Sequence, residues 1–367
     1  MFVIFTLHVL RFTHYNPSMP TKWTTIIGHD WAVELLAGAI EHDRIGHAYL
    51  ITGPEHVGKT TLARTFAQAL NCESGKWQVA SGQSPISSLQ SPCGQCRACK
   101  LIAEDRHPDV RLVEPEVSGR GKLTLKIEAI RELQQDLNLS TYEVRYKVAI
   151  LTRFDAATIG AANAFLKTLE EPPNKVILLL TATDADTLLP TISSRCRTIG
   201  LRPLPTDLIE QSLTTRWHVP DDDAHLLAHL SDGRLGWAVQ AAQNPAILEN
   251  RDQHLEWLHE ALNGSRVTRF ALADKLGRKP ELLPAILQTW LSWWRDLTLL
   301  AQGTTRDGIT LTNIDQEPQL ARLAQTWTAD QALASLKQTN LALWQLERNA
   351  NTRLVLENLL LIYPYRT

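Results

Sequence analysis

The stretch GPEHVGKTT at 53–61 restricts the fold more than any other part of this chain. It fits G-x-x-x-x-G-K-[ST], a loop whose backbone N–H groups wrap phosphate oxygens at the start of a helix. The loop works only between a buried strand and a helix, and the sequence predicts both, HAYLIT (47–52) before it and TLARTFAQAL (61–70) after it. In that setting the amides from Glu55 through His56, Val57, Gly58 and Lys59 to Thr60 face phosphate oxygens. Lys59 reaches the β and γ phosphates, and Thr60 is placed to bind Mg2+.

A strand followed by a phosphate loop and a helix calls for further parallel strands. DVRLVEP (109–115), KVAILT (147–152), KVILLLTAT (175–183) and RTIGL (197–201) supply them, rich in Val, Ile and Leu as strands covered on both faces should be. Between them, Ile127, Ile130, Leu133 and Leu137 form one helical stripe, and AANAFLKTLEE is a second amphipathic helix ended by Pro172 and Pro173. The prediction is a parallel, doubly wound α/β domain over 21–205. Strand signals stop there. Three short helices, TDLIEQSLTTRW, DDDAHLLAHLS and GRLGWAVQAAQN, make a small helical unit over 206–245. The remainder, 246–367, is helical and Leu/Ala/Trp-rich, with WLSWWRD (290–296) expected as core. A length of 367 residues accommodates this many units. Residues 1–20 are expected to be a loose or spurious extension, because their apolar run is too short to span a bilayer and lacks a charged n-region.

A net charge of −2 gives no bulk basic signature for a nucleic-acid or membrane binder. Four of the five cysteines cluster as Cys72, Cys93, Cys96 and Cys99. Two C-x-x-C steps share Cys96, a spacing that suits a closed tetrahedral Zn2+ site of structural type, in a module over 72–100. His107 is an alternative ligand. This cysteine usage points to a reducing cytoplasm rather than a secreted disulfide framework. Within TISSRCRTIGL, Arg195 precedes the last strand; such an arginine is either a solvated surface group or a cation acting on a phosphate held by a neighbour.

These segments together resemble one family. IIGHDWAVELLAGAI, GHAYLITGPEHVGKTTLA, the four-cysteine insertion, HPDV, NAFLKTLEEPP and SRC occur in the order found in bacterial DNA polymerase III clamp-loader subunits, the delta-prime and gamma/tau chains, within the AAA+ family. NANTRLVLENLL (349–360) is similar to the end of the delta-prime collar. The resemblance implies an AAA+ domain with an inserted zinc module, a helical lid and an all-helical collar. It implies nucleotide contacts from Ile26, Ile27 and Gly28 and from Gly53, Pro54, Glu55, His56, Val57, Gly58, Lys59, Thr60 and Thr61. By the same likeness the four cysteines hold zinc, Arg195 is an arginine finger, and Thr181 or Thr183 senses a γ-phosphate. ATP or ADP with Mg2+ is the implied ligand. The implied partners are gamma/tau-like and delta-like subunits, with the sliding clamp and primed DNA met through the complex and no membrane.

The departures are as informative as the matches. Counting back from NAFLKTLEEPP, the motor subunit's Asp-Glu pair falls on Thr152 and Arg153, and the lid's phosphate-sensing arginine falls on Gly236, with Arg234 nearby. Asp155 could replace the aspartate only through a register shift. A chain built this way is expected to be a mostly non-hydrolysing stator within the polymerase III holoenzyme, itself neither polymerase nor active ATPase. The intact loop leaves a gamma/tau-like motor as the alternative. A small-molecule P-loop kinase is disfavoured by the cysteine module, the SRC segment and the helical tail.

Overall fold

The computed structural model describes residues 23–75, 91–117, 123–139, 145–303, 310–348 and 350–365. The expected extension at 1–20 and most of the Gly/Ser/Gln-rich part of the cysteine module lie outside them. The first domain contains strands β1 (Ala48–Thr52), β2 (Val110–Val113), β3 (Glu116–Val117), β4 (Leu123–Thr124), β5 (Lys147–Leu151), β6 (Val176–Ala182) and β7 (Arg197–Gly200). Five of them form one parallel sheet in the order β2-β5-β6-β1-β7. Leu50 of β1 lies between Leu180 of β6 and Thr198 of β7. Every residue of β1, β5 and β6 is buried, which explains why their sequences are continuous apolar runs rather than alternating ones. The observed strands are up to two residues shorter at an end than predicted, and the short antiparallel pair β3–β4 was not expected at all.

Helices cover both faces. On one side α1 (Asp30–Glu41), α2 (Lys59–Asn71) and α3 (Arg97–Ala103) pack with Trp23, Tyr49, Phe66 and Ile150. On the other, α4 (Ile127–Asn138), α5 (Ile159–Glu170) and α6 (Pro190–Ser193) bury Ile130, Leu133, Leu137, Phe154 and Phe165. The predicted stripe of α4 is thus the buried one, with Ile127 half-buried at its start.

The sheet gives way at Pro203 and Pro205 to α7 (Thr206–Trp217), α8 (Asp221–Leu230) and α9 (Leu235–Gln243), which share a small core of their own. The rest is α10 (Ala246–Asn263), α11 (Arg266–Gly277), α12 (Leu283–Ala301), α13 (Glu317–Ala324), α14 (Ala329–Glu347) and α15 (Thr352–Ile362). Trp290, Trp293 and Trp294 are fully buried in this helical core, as expected. Arg269 is buried beside them, donating to the carbonyls of Ala261, Leu360, Tyr363 and Pro364. The imidazole of His229 on α8 meets the Leu311 carbonyl at 2.8 Å and so joins the two helical units, while within the second unit Arg251 on α10 pairs with Asp315 at 2.9 Å. No helix among the described residues is long and apolar enough to cross a membrane.

Candidate nucleotide site and the Arg195 edge

The phosphate loop follows β1 and opens α2 at the C-terminal end of the sheet. Its shape depends on glycine. Gly53 has φ 139°, and a Cβ there would lie 2.5 Å from the Leu201 carbonyl oxygen; Gly58 caps α2 at φ 108°. His56 takes a positive φ of 61° without that freedom. Lys59 is buried, and its ammonium donates to the carbonyls of Gly53 and Pro54, each at 2.6 Å. Burial lowers its pKa; Arg153 pushes the same way, while Glu55 and Asp155 oppose. Thr60 sits half-buried on the first turn of α2, and Thr61 is exposed.

The tip of β5 borders this loop, and the acidic pair of a hydrolytic site is absent from it. Thr152 is buried, its N–H bonded to Val113 O at 2.9 Å and its hydroxyl 3.5 Å from the same oxygen. Arg153 adopts a left-handed conformation (φ 48°) and donates its N–H to Thr181 Oγ1 at 3.0 Å. Its guanidinium crosses to the loop and pairs with Glu55 at 2.7 Å. Asp155 lies on the following turn, with one carboxylate oxygen accepting from Thr183 at 3.3 Å and the other buried with no partner among the described residues. Of the two threonines expected to face a γ-phosphate, Thr181 is therefore engaged by Arg153 and Thr183 by Asp155.

The lid meets the loop in a backbone hydrogen bond. The Gly236 N–H donates to His56 O at 2.9 Å, and a Cβ on Gly236 would meet that oxygen at 2.7 Å. Gly236, the position to which the sequence resemblance assigns a phosphate-sensing arginine, makes a contact too close for a side chain without a shift. Arg234 is half-buried beside it and bonded to Ser231 O at 2.7 Å. Ile26 is buried, Ile27 packs against the lid core, and Gly28 (φ 73°) sits where a Cβ would strike the Leu204 and Leu208 side chains. His29 reaches from the cap of α1 to Val57 O at 3.3 Å, and burial lowers its pKa.

Arg195 occupies the other end of the sheet. It immediately precedes β7, whose Arg197 is in register with Tyr49 near the start of β1, whereas the loop follows the end of β1. The guanidinium donates to Thr191 O at 2.8 Å and to Glu170, the last residue of α5, at 2.6 Å. Its side chain is 36% exposed.

At that same end, beyond α2 and on the opposite face, Cys72, Cys93, Cys96 and Cys99 bring their sulfurs within 4.8 Å of one another. A tetrahedral metal with bonds of about 2.3 Å sets sulfurs roughly 3.8 Å apart, so the set fits an ion held by four thiolates. Backbone N–H groups already point at the sulfurs, Cys96 to Cys93 at 3.3 Å and Cys99 to Cys96 at 3.4 Å. The Ser74 hydroxyl and the amides of Cys96 and Gln95 pull the Cys93 thiol down to about 6, while burial pushes Cys99 up. The His107 Nδ1 instead accepts the Asp109 N–H at 3.1 Å, outside the cluster.

The sequence did not expose Glu55 as a partner for Arg153, Glu170 as a partner for Arg195, or the His56–Gly236 contact. Each joins residues far apart in the chain, and no local pattern marks them.

A five-stranded parallel sheet in this order, with a P-loop after β1 and a helical lid docked on that loop, defines the AAA+ class. Two family models match the chain, "DNA polymerase III, delta subunit" over 28–205 and its C-terminal counterpart over 245–363. DNA polymerase III subunit delta-prime of Pseudomonas aeruginosa is 30% identical over 319 residues, covering 83% of this chain and 90% of that protein. The Bacillus subtilis delta-prime subunit is 33% identical over 231 residues, 63% of this chain and 64% of its own length. The tau/gamma subunit of Haemophilus influenzae is 34% identical over 261 residues, 70% of this chain but 34% of that protein. The chain belongs to the DNA polymerase III delta-prime family and is related to gamma/tau.

Proposed function

We propose that this chain is a stator subunit of a DNA polymerase III clamp loader, one that hydrolyses little or no ATP and completes the active site of a neighbour. Arg195 is the group it contributes. A transferring γ-phosphoryl spreads negative charge over its equatorial oxygens, and a guanidinium placed there stabilises that charge. The neighbour is a gamma/tau-like motor subunit, a delta-like subunit belongs to the same hetero-oligomer, and the sliding clamp and primed DNA are met through that assembly in the cytoplasm. Zn2+ in the four-cysteine set is structural, because four protein ligands leave no open position. Residues 21–205 form the nucleotide-binding unit, 206–245 the lid and 246–367 the collar.

The observation that carries this reading is the polarity of the sheet. Thr152 and Arg153 follow β5 beside the loop, in the places where a hydrolytic site carries its acidic pair, while Arg195 precedes β7 at the far end. Any phosphate that Arg195 touches belongs to another molecule. An intact loop, with Lys59 and Thr60 in place, favours the second reading, a gamma/tau-like motor. ATP turnover by the isolated chain, and then by the chain assembled with candidate motor and delta subunits, separates the two. Background turnover alone, with DNA- and clamp-stimulated turnover on assembly, is expected. A motor-like rate from the isolated chain would overturn the stator reading.

A further inference from the structure

The magnesium ion that accompanies nucleotides in related loops does not fit the donors present here. Mg2+ demands near-octahedral oxygen at about 2.0–2.1 Å and is commonly held through a carboxylate. Around this loop, Thr60 offers a hydroxyl, and the Thr152 hydroxyl is directed toward Val113 O. Glu55 is engaged by Arg153, one oxygen of Asp155 is engaged by Thr183, and its other oxygen is sealed from solvent. Cations take the place of acids: Lys59, Arg153 and Arg234 gather about the loop against Glu55 and Asp155.

We propose that the loop binds a nucleoside di- or triphosphate without a divalent cation, the Arg153 guanidinium neutralising the phosphate charge that a metal neutralises elsewhere. The inference rests on the stator reading, in which the loop retains nucleotide without hydrolysing it. Arg153 already reaches the loop, since its guanidinium lies 2.7 Å from a Glu55 carboxylate oxygen. That pair is half-exposed on both sides, 44% and 41%, so it is easily displaced. A polyphosphate brings more negative charge than one carboxylate and accepts a guanidinium fork in bidentate geometry. Glu55 then acts as a placeholder, holding the cation over the loop until phosphate replaces it. Lys59 is released from the Gly53 and Pro54 carbonyls in the same exchange.

Fluorescent ADP and ATP analogues titrated against the full chain, in EDTA and again in excess MgCl2, test this. Comparable affinity in the two buffers is expected. In EDTA, Arg153→Gln should weaken binding by about tenfold, the loss of one charge-assisted contact. Glu55→Gln should tighten it a few-fold by removing the competitor, a result no structural defect would give. Unchanged thermal melts of both variants separate lost contact from lost fold. Binding that appears only with Mg2+ and disappears in Asp155→Asn would overturn the inference, as would cation-free binding indifferent to Arg153→Gln. Absence of binding in either buffer would also overturn it yet leave the stator role standing, because that role falls only to ATP turnover by the isolated chain.

Discussion

The two ends of one sheet are built in opposite ways. At the loop end most polar groups satisfy one another, with Lys59 on loop carbonyls, Arg153 on Glu55 and Gly236 of the lid on His56, while one Asp155 oxygen is buried with no partner among the described residues. At the other end Arg195 is braced by Glu170 and Thr191 but remains open to solvent. An active phosphate site concentrates carboxylate, lysine and bound metal at one end. Here the phosphate loop stands at one end and the half-exposed Arg195 guanidinium at the other, an arrangement that the proposed role in trans accommodates.

Four experiments break or sharpen that contrast. The largest expected effect comes from Arg195→Ala. In the assembled loader, single-turnover hydrolysis at the adjoining motor site should fall about a thousandfold or more, while nucleotide binding by this chain's own loop stays unchanged. Equal rates with and without the guanidinium would remove the functional half of the contrast.

Chelation comes next. Stripping metal from the four-cysteine set should speed amide exchange across 91–96, ahead of α3, and leave the sheet intact by circular dichroism. Collapse of the whole α/β unit would make the module a foundation rather than an appendage.

A smaller effect is expected from Gly236→Arg, which restores the motor's residue type. The added Cβ meets His56 O at 2.7 Å, so the lid must shift, at a cost of about 1–3 kcal/mol in urea unfolding. Undiminished stability would mean the lid-to-loop seat is soft.

The smallest is a pH effect at the loop end. Burial holds His29 below its ordinary value of 6.5, so between its folded and unfolded values the unfolded chain binds more protons. Its contribution is complete above about 6.5 and is lost as pH falls through the lower folded value. Melting temperature should therefore decline in mild acid, and less steeply in His29→Asn. An identical slope in the variant would reassign the effect to other groups, of which His254 is similarly placed.

The sequence was most legible where function is written in contiguous residues. The phosphate loop, the cysteine spacing, the Thr152–Arg153 substitution and the last helices of the lid all follow from short words whose geometry is local. The Trp290–Trp294 segment was legible because three large apolar side chains so close together call for a core. Pairings closed by tertiary structure were not, since Glu55 meets Arg153 and Glu170 meets Arg195 only after the sheet has assembled. The β3–β4 pair escaped notice because two residues per strand carry no periodicity.

The Glu55–Arg153 contact also sets what a charge reversal at 153 would meet. A lone reversal of Arg153 to an acid would place two carboxylates face to face across the loop, a repulsion of roughly 1 kcal/mol in water and about 4 kcal/mol at protein-surface dielectric for charges some 4 Å apart. Thr152 would still lack its charge, and Gly236 would still leave no room for an arginine. An acid at 153 is therefore opposed by the Glu55 charge on its own, before any change at Thr152 or Gly236 is made.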